Sequence, residues 1–469
     1  MKHTFQSFAF FAFSFCGAVL AAEPAADVTE LPPLEVQSTP FGGRTADELV
    51  QPVDVLAGDE LERRRAGTLG ETLGQELGIS NSGFGPGVGR PVIRGQGGNR
   101  VRILENGIGS MDVSDVSGDH AVTLDPAHAQ QIEVLKGPST LLYGSSAYAG
   151  VINLVDDRLS EDPEDGTHLF VDGSYGENGD DKNGRFGLHS GNGRFKFHLD
   201  GASRRNNDYD IPGFADRAQT GTQGRLTNSF VETDSGSLSA AYTGLDAALG
   251  GALSFYKSAY GLPNEPPALI EMEQTRFDLR GTLRAPFDGI EALRVQAGVN
   301  DYQHTEFPTP GIAGTRFSND EIETRFELTH SKLGPFTGAV GTQLIFRDFA
   351  AVGTETFVPP TKTDSIALFA VEELPVSFGA FEFGGRVEQT RHSPEAGAGN
   401  PLKGGSVDRD FTPASVSAGL LVKLGEVYHL RVNLGRSQRA PGAEELFAFG
   451  AHEATEAFER GDANLNKET

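Results

Sequence analysis

Apolar and polar residues alternate one by one over most of the chain beyond residue 156. In residues 195–200, 293–300 and 428–435, apolar side chains occupy every second position, and polar or small residues occupy the positions between. Because successive side chains of a β-strand point to opposite faces of a sheet, this period of two predicts a long array of strands. A soluble sandwich and a membrane β-barrel share the pattern, so the period alone leaves both folds open.

The N-terminus has the layout of a secretory signal peptide, predicted here for residues 1–22. Lys2 is followed by an apolar run from Phe8 to Leu20 and then by small residues. The run is shorter than the roughly 20 residues that span a bilayer, which disfavours a membrane helix. Cys16, the only cysteine, lies in this segment, so the mature chain is expected to have no disulfide and no thiolate metal site. No later segment has about 18 consecutive apolar residues, which excludes a helical membrane protein.

Charge and motif content exclude two classes of function. The formal net charge of −26 argues against a nucleic-acid partner, because phosphate contacts require a basic face. The sequence has no G-x-S-x-G elbow, no H-E-x-x-H helix and no P-loop, so we expect neither an enzyme nor a required cofactor.

Composition divides the mature chain into three regions. Residues 23–51 are rich in Pro, Ala and Glu, and the prolines forbid regular helix, which predicts an extended, mobile arm. Residues 52–155 mix short strands and helices with Gly-rich turns and have the size of a compact domain, in which a helix is predicted from Thr68 to Leu77. The strand array occupies residues 156–469.

The second region contains a series of short motifs. In chain order they are Ile93-Arg94-Gly95, Asn99-Arg100-Val101, Glu105-Asn106-Gly107, Ile132-Glu133-Val134-Leu135-Lys136-Gly137-Pro138, Leu142-Tyr143-Gly144-Ser145 and Ala149-Gly150-Val151-Ile152-Asn153. The segment resembles the plug domain of TonB-dependent outer-membrane receptors from one end to the other. The resemblance implies an α+β plug domain followed by an antiparallel transmembrane β-barrel of about 22 strands, set in outer-membrane lipid.

Two groups of plug residues have expected structural roles. We expect the glycines at positions 95, 107, 137, 144 and 150 to form tight turns and close strand approaches. Arg94, Arg100, Glu133 and Lys136 are candidates for ion pairs that hold a plug against a polar barrel lumen. The alternative is that they only stabilise the plug's own fold.

The strand array is short for such a barrel. At two strands per ~45–50 residues, residues 156–469 supply about 12 to 14 strands, against about 22 in large plugged barrels. We therefore expect only part of an antiparallel transmembrane β-barrel, truncated at its C-terminal end and open at its sheet edges. Such a chain alone is not expected to function.

TonB-dependent receptors carry a box after the signal peptide that recruits the energy-transducing protein TonB by strand addition. The matching positions here are Leu34, Glu35, Val36, Gln37 and Ser38. Strand addition requires an extended, unpaired segment, which suits the predicted arm. An ordinary linker is the alternative. The resemblance implies active import, in which substrate binds from outside and TonB displaces the plug by using the inner-membrane proton gradient.

Residues 112–121 resemble outer-membrane zinc receptors, a subgroup in which an adjacent Asp-His pair ligates metal. The pair here is Asp119 and His120. Zinc accepts carboxylate oxygen and neutral imidazole at about 2.0–2.2 Å, and both side chains reach one ion only if the backbone turns, which Gly118 favours. The alternative is a structural histidine in a capped turn.

Two ligands leave a tetrahedral site half empty, so further ligands must come from the barrel. Residues 301–307 and 444–462 resemble the same subgroup, and Glu306 and His452 are the predicted ligands in them. His304 lies two positions before Glu306 and shares a face with it if the segment is a strand. Otherwise these residues are solvent-facing polar groups of loops or lumen.

One departure from the zinc subgroup leaves the substrate open. After Tyr260-Gly261-Leu262-Pro263, zinc receptors of this type commonly have a His-rich loop, whereas residues 264–268 contain no histidine. The predicted substrate is a scarce metal ion such as zinc, and a metal chelate such as a siderophore or haem is the alternative. A signalling or adhesion protein of the outer membrane is the alternative from another class.

Overall fold

The computed structural model describes residues 34–469, except for 138–139, 217–220, 222, 264–267, 310, 355, 396–406, 426–427 and 453–456. The predicted signal peptide, the first part of the arm and most of the histidine-free loop lie outside the described residues. Among the helices that the structure describes, none has the length and apolar character needed to cross a bilayer.

Strands dominate the secondary structure. Within the described residues they are β1 Val53–Ala57, β2 Ile79–Gly83, β3 Gly89–Ile93, β4 Val101–Glu105, β5 Ile108–Gly109, β6 Gln131–Lys136, β7 Gly150–Val155, β8 Asp165–Gly176, β9 Asp181–Asn192, β10 Phe195–Asn206, β11 Tyr209–Phe214, β12 Gln223–Leu226, β13 Val231–Thr243, β14 Ala247–Leu262, β15 Ala268–Phe287, β16 Ile290–Phe307, β17 Thr315–Leu333, β18 Phe336–Gly353, β19 Thr361–Val376, β20 Gly379–Pro394, β21 Arg409–Phe411, β22 Ala414–Lys423, β23 His429–Arg436, β24 Phe449–His452 and β25 Ala457–Arg460. The α-helices are short, namely α1 Gly58–Arg64, α2 Leu69–Thr72, α3 Thr140–Tyr143 and α4 Ala443–Phe447. Turns of 3-10 helix lie at Ala46–Glu48, Gly98–Arg100, Pro126–His128, Ser145–Ala147 and Asn178–Asp180.

The plug is built on a five-stranded sheet with the order β1-β6-β7-β4-β5. β4 and β7 are parallel, and the other neighbours are antiparallel. Almost every residue of β6 and β7 is buried, because these strands lie inside the sheet and are covered on both faces. Leu61, Leu69 and Leu73 from the helical segments pack with Ile132 and Ile152 in one core. The expected α+β plug is confirmed.

The helix predicted from Thr68 to Leu77 is wrong in its length. α2 ends at Thr72, and Thr68 is its N-cap, whose side-chain oxygen accepts a hydrogen bond from Glu71 N at 3.3 Å. Gly70 and Gly74 interrupt the pattern that suggested a longer helix. Glycine costs about 1 kcal/mol relative to alanine in a helix interior, so two of them within one turn favour an early end.

The predicted glycine turns are confirmed, since positions 95, 107, 137, 144 and 150 all have positive φ. At Gly107, φ is 88°, in the left-handed region that other residues avoid. At Gly150 the constraint is space, because a Cβ atom would lie 2.4 Å from the carbonyl oxygen of Leu135 and 2.8 Å from Cδ1 of Ile93. Only glycine lets β6 and β7 approach so closely here.

A 14-stranded sheet follows the plug. Its order is β23-β22-β20-β19-β18-β17-β16-β15-β14-β13-β10-β9-β8, with β21 paired beside β20. The number of strands agrees with the predicted 12 to 14, and the antiparallel, barrel-like arrangement is confirmed. β8 and β23 are the edge strands, and within the described residues they do not pair with each other.

The two ends of this sheet differ. Short turns at 193–194 and 288–289 join strands at one end, which we call the turn edge. Longer connections at 308–314 and 354–360 join them at the other end, which we call the loop edge. In outer-membrane barrels the short turns face the periplasm and the long loops face the outside.

The exposed face of the sheet is apolar and the covered face is polar. In β10, Phe197 is 62% exposed, whereas its neighbours Lys196 and His198 are 7% and 8% exposed. A soluble sandwich has the opposite arrangement, because its apolar faces are the covered ones. A membrane barrel turns apolar side chains to lipid and polar side chains to the lumen, so the side of exposure decides between the two folds that the period of two left open.

The plug lies against the polar face of the sheet through hydrogen bonds and ion pairs. Glu323 of β17 accepts from Arg102 Nη2 at 2.7 Å and from Gly109 N at 2.9 Å. Asn300 of β16 donates to the Met111 carbonyl at 2.6 Å. These contacts use polar atoms on both sides, which is how a polar lumen holds a plug.

The four charged residues predicted to hold the plug behave differently from one another. Arg100 pairs with Glu468 at 3.0 Å, outside the plug. Lys136 pairs with Asp54 of the plug itself, and Arg94 has no ion pair among the described residues. Glu133 binds the arm, as described next. Of the four, only Arg100 pairs with a residue beyond the plug, whereas Arg102, which was not among the four, pairs with Glu323 of the sheet at 2.7 Å.

The described part of the arm is docked, which corrects the prediction of a mobile segment. Val36 is 2% exposed. The backbone N–H groups of Gln37 and Ser38 donate to the Glu133 carboxylate at 2.5 and 2.8 Å. The prolines of the arm indicated only that it is not helical, because the partner that holds it lies 95 residues further along the chain. Leu34, by contrast, is 52% exposed.

Candidate metal site between plug and sheet

The four predicted metal ligands meet near the loop edge of the sheet. Asp119 and His120 lie in the plug between β5 and β6, Glu306 lies near the end of β16, and His452 ends β24. One ligand atom from each residue lies within 4.8 Å of every other. All four residues are buried, with at most 5% of their surface exposed. The plug therefore supplies two of the side chains, and the part of the chain after the plug supplies the other two.

His120 turns one ring nitrogen toward Glu306. Its Nδ1 lies 3.0 Å from the Val113 carbonyl, which can only accept, so Nδ1 carries a proton. In the neutral ring, Nε2 then has the lone pair, and it lies 3.0 Å from Glu306 Oε1. A lone pair and a carboxylate repel at this distance unless a proton or a cation lies between them. In metal sites, a backbone carbonyl that accepts from one ring nitrogen of a histidine commonly fixes the tautomer, so that the other nitrogen can bind the metal.

His452 and Asp119 form the second half of the site. His452 Nε2 lies 3.5 Å from Asp119 Oδ1, and its Nδ1 lies 2.9 Å from Glu459 Oε1. Asp119 Oδ1 also accepts from the Ser117 hydroxyl. Asp119 Oδ2 is buried and has no hydrogen-bond partner among the described residues. A buried acceptor left unsatisfied costs about 1–3 kcal/mol, more for a charged group, so a cation at Oδ2 would remove a penalty.

The carboxylates of the site favour positive charge on its two histidines. Burial by itself raises the pKa of Asp119, but His120 and His452 hold that pKa well below its usual range. Burial by itself lowers the pKa of His452, but its hydrogen bonds to Asp119 and Glu459 raise that pKa to about 10. The pKa of His120 is also raised, since Asp119 and Glu306 outweigh the effect of burial.

Tyr260 of β14 holds the backbone of residues 112–123, which contain Asp119 and His120 and which we call the candidate metal-binding loop. Its hydroxyl donates to the Asp119 carbonyl and accepts from Ala121 N, both at 3.0 Å. The side chain is fully buried, so this contact links the plug loop directly to the sheet.

A second set of contacts closes the loop from within the plug. Asp112 accepts from Ser114 N at 2.9 Å and from Thr123 N at 3.1 Å. Gly118, which was expected to enable the turn, is not in the left-handed region, and a Cβ atom there would meet nothing within 4 Å. The turn therefore depends on side-chain hydrogen bonds and not on the glycine.

His304 is a fifth buried candidate, which the sequence pattern indicated but which was not among the predicted ligands. Its Nε2 lies 3.7 Å from Glu306 Oε1 and has no hydrogen-bond partner among the described residues. Its Nδ1 lies 2.8 Å from the Tyr302 hydroxyl. The expectation that His304 and Glu306 share a face is confirmed by β16.

Aromatic rings enclose the site. Phe317 stacks on His304 with ring centroids 4.4 Å apart, and Phe357 stacks on His452 at 4.7 Å. Both phenylalanines belong to a buried apolar cluster with Val113. Excluding water from the surroundings of the ligands strengthens their attraction for a cation.

Two family models match the chain. The TonB-dependent Receptor Plug Domain matches residues 45–151, and the TonB dependent receptor-like, beta-barrel model matches residues 158–469, more than half of the chain. The chain belongs to the TonB-dependent receptor family. Members of this family are receptors and transporters of the outer membrane and not enzymes.

The receptor is similar to proteins that are named for different substrates. A hemin receptor from Yersinia pestis is 32% identical over 139 residues, which make up 29% of this chain and 20% of that protein. The solved structure of the Serratia marcescens hemophore receptor HasR, in complex with its hemophore and heme, has a TM-score of 0.74 at 17% identity and covers 90% of this chain and 68% of that one. Copper transporter OprC has a TM-score of 0.70 at 17% identity and covers 85% and 64% of the two chains.

The likeness to the two solved structures shows the fold. The receptor described here spans 64% of OprC and a fifth of the hemin receptor. These relatives are named as haem and copper receptors, so they do not support the predicted resemblance to the zinc subgroup.

Proposed function

We propose that this receptor imports a bare divalent metal ion across the outer membrane, with zinc as the first candidate. The supporting observation is the meeting of Asp119, His120, Glu306 and His452, with ligand atoms within 4.8 Å of one another. In a tetrahedral site with bonds of about 2.0–2.2 Å, ligand atoms lie about 3.3–3.6 Å apart. The four ligand atoms must therefore move closer together to coordinate one ion.

The donor set selects the class of ion. Two imidazoles and two carboxylates, without a thiolate, suit zinc and other borderline divalent ions and not Cu(I), which prefers sulfur ligands. The same nitrogen and oxygen donors bind Cu²⁺ more tightly than Zn²⁺, so the ion that the cell supplies outside the membrane decides between them.

The division of the ligands between plug and barrel supports a release step. When the plug is docked, its two side chains complete the metal site. If TonB pairs with Leu34–Ser38 and pulls the arm, Asp119 and His120 move away from Glu306 and His452. The ion then keeps at most half of its protein ligands, and its affinity falls. In this scheme, transport makes and breaks no covalent bond.

A chelate receptor is the second candidate, and the named relatives favour it, since a hemin receptor is 32% identical over 139 residues. The geometry favours the bare ion. A cavity of roughly 220 Å³ lies beside the candidate metal-binding loop and is lined by Asp112, Asp115 and Arg347, among others. Pockets for drug-sized organic ligands are usually about 300–1,000 Å³, so the part of this cavity that the described residues line is small for a haem or a siderophore.

The test is the zinc content of the purified receptor at a buffered free zinc concentration, measured by mass spectrometry. The Asp119→Ala/His120→Ala variant should bind one zinc ion per chain fewer than the wild type. His330→Ala is the matched control, because His330 is a buried histidine beside a single carboxylate, Glu372, at 3.1 Å, and its loss should leave the zinc content unchanged. Equal zinc in the double variant and the wild type would refute the metal site.

A parallel titration with haemin, followed by its visible absorption, separates the two candidates. Saturable haemin binding at one equivalent per chain, together with unchanged zinc content in the double variant, would replace the bare ion by the chelate.

A further inference from the structure

A second group of histidines and carboxylates lies far from the first site in the chain. Asp157 follows the last plug strand, His189 lies on β9 and His198 on β10, and we call these three residues the exit cluster. His189 and His198 face each other across the hairpin whose turn is at 193–194, so the cluster lies at the turn edge. Glu306, by contrast, ends a strand at the loop edge. The two sites therefore lie toward opposite ends of the sheet.

The three side chains converge on one point. His189 Nδ1 lies 3.2 Å from Asp157 Oδ2, His198 Nδ1 lies 3.4 Å from Asp157 Oδ1, and the two Nδ1 atoms lie 3.3 Å apart. Ligand atoms around a tetrahedral ion with bonds of about 2.0–2.1 Å are about 3.3–3.4 Å apart. The exit cluster already has this spacing. Glu164 Oε1, at 3.9 Å from His189 Nδ1, offers a fourth ligand.

The hydrogen bond of Nε2 in His198 leaves the lone pair of Nδ1 available to a metal ion. His198 Nε2 lies 2.5 Å from Asp200 Oδ2, and since a carboxylate only accepts, Nε2 carries the proton and Nδ1 the lone pair of the neutral ring. Asp200 is held in turn by the Ser237 hydroxyl at 2.6 Å and by His128 Nδ1 at 3.1 Å. In zinc sites, the ring nitrogen of a histidine that does not bind the metal commonly donates to a carboxylate in this way.

The charge of the cluster also suits a cation. Two Nδ1 atoms at 3.3 Å cannot both present lone pairs to each other unless a proton or a metal ion lies between them. His198 is 8% exposed, whereas the Asp157 side chain keeps 31% of its surface accessible, so an ion can enter and leave.

We propose that Asp157, His189 and His198 form a second binding site for a divalent transition-metal ion, at the periplasmic end of the receptor. Asp157 comes from the segment that leaves the plug, and the histidines come from the sheet, so this site also joins the two parts. A role in receiving the ion released from Asp119 and His120 rests on the proposed import function, whereas metal binding at the exit cluster does not.

The test combines two double variants, with zinc alone as the probe and zinc per chain measured at buffered free zinc. Wild type should bind about two ions, and His189→Gln/His198→Gln and Asp119→Ala/His120→Ala about one each. The combination of all four substitutions should bind none. Zinc content that stays at the wild-type level in His189→Gln/His198→Gln overturns the exit site, while the same result in Asp119→Ala/His120→Ala overturns only the proposed import site.

Asp157→Asn provides the second variant, because it keeps the shape of the side chain and should not disturb folding. Its exit site should bind zinc more weakly by about tenfold or more, measured in the Asp119→Ala/His120→Ala background, where the candidate site between plug and sheet is removed. X-ray absorption spectra at the zinc edge in that background should show two imidazole ligands. A spectrum with oxygen ligands only, or an unchanged affinity in Asp157→Asn, counts against the proposal.

Discussion

The substitution Glu133→Gln should release the arm from the plug. Glu133 is fully buried, and its oxygens accept hydrogen bonds from Gln37 N, Ser38 N, Gln131 Nε2 and Asn153 Nδ2 at 2.5, 2.8, 2.7 and 3.1 Å. All four partners are donors. Glutamine has the same shape, but it replaces one acceptor oxygen by an NH₂ group. This group faces N–H donors and cannot accept their hydrogen bonds.

The magnitude follows from these contacts. A hydrogen bond to a charged group contributes about 1.5–3 kcal/mol, and a neutral amide oxygen retains part of one such bond to the arm. Docking of residues 35–38 should therefore weaken by about 2–3 kcal/mol, which corresponds to about 30- to 160-fold in the docking equilibrium.

Hydrogen exchange followed by mass spectrometry measures this directly. Protection of the Gln37 and Ser38 amides should fall by that factor, whereas amides of the central plug strands, such as Val134 and Ile152, should keep their protection. Glu60→Gln on the outer side of α1 is the control, since the Glu60 side chain is 46% exposed and does not contact the arm. Unchanged protection at Gln37 and Ser38 would show that the Glu133 carboxylate does not hold the arm.

Three further substitutions and one deletion test other parts of the receptor. Tyr260→Phe should weaken zinc binding by about tenfold, because the backbone of the candidate metal-binding loop loses both of its hydrogen bonds to the sheet. Glu459→Gln should weaken zinc binding by about 10- to 100-fold by loosening the orientation of His452, measured by competition with a zinc indicator. Gly150→Ala should lower the free energy of unfolding by about 1–3 kcal/mol, measured by denaturant titration, because its Cβ overlaps the neighbouring strand. Deletion of Leu34–Ser38 should abolish metal uptake into cells while zinc binding by the purified receptor stays intact.

Each of these has an outcome that contradicts it. Unchanged zinc affinity in Tyr260→Phe or Glu459→Gln would mean that neither residue positions a ligand. A Gly150→Ala variant as stable as the wild type would show that β6 and β7 can separate at no cost. Normal uptake after deletion of residues 34–38 would show that TonB is recruited elsewhere.

The sequence predicted the strands well because a period of two is a local property. Phe197 and Lys196 alternate whichever fold they belong to, so the pattern could not say which of them faces outward. That depends on whether lipid or protein covers each face of the sheet, and only the structure shows Phe197 exposed and Lys196 buried.

The candidate site was predicted through the resemblance and not from spacing. Asp119 and His452 are separated by more than 300 residues, and no local rule brings them together. His304 was passed over because its burial depends on Phe317, which stacks on it from the neighbouring strand. The arm was predicted as mobile for the same reason, since its partner Glu133 is remote in sequence.

The pairing of the two histidines of the exit cluster, in contrast, could have been predicted from the sequence. His189 and His198 are almost equally far from the turn at 193–194, so pairing the two alternating runs as a hairpin places them opposite each other, as the register shows. Asp157 carried no such signal, because its position follows from how the plug connects to the sheet.

The sharing of the proposed metal site of Asp119, His120, Glu306 and His452 between plug and barrel has a thermodynamic consequence. An ion that binds only the docked plug acts as a removable cross-link, and it stabilises docking by about 4 kcal/mol when its concentration is 1,000 times the dissociation constant. By reciprocity, the loaded receptor is the harder one to open, and tighter binding demands more pulling work for every ion delivered. The scarcity of the metal therefore sets the lowest affinity at which such a receptor is useful. The work that its energy source can perform sets the highest.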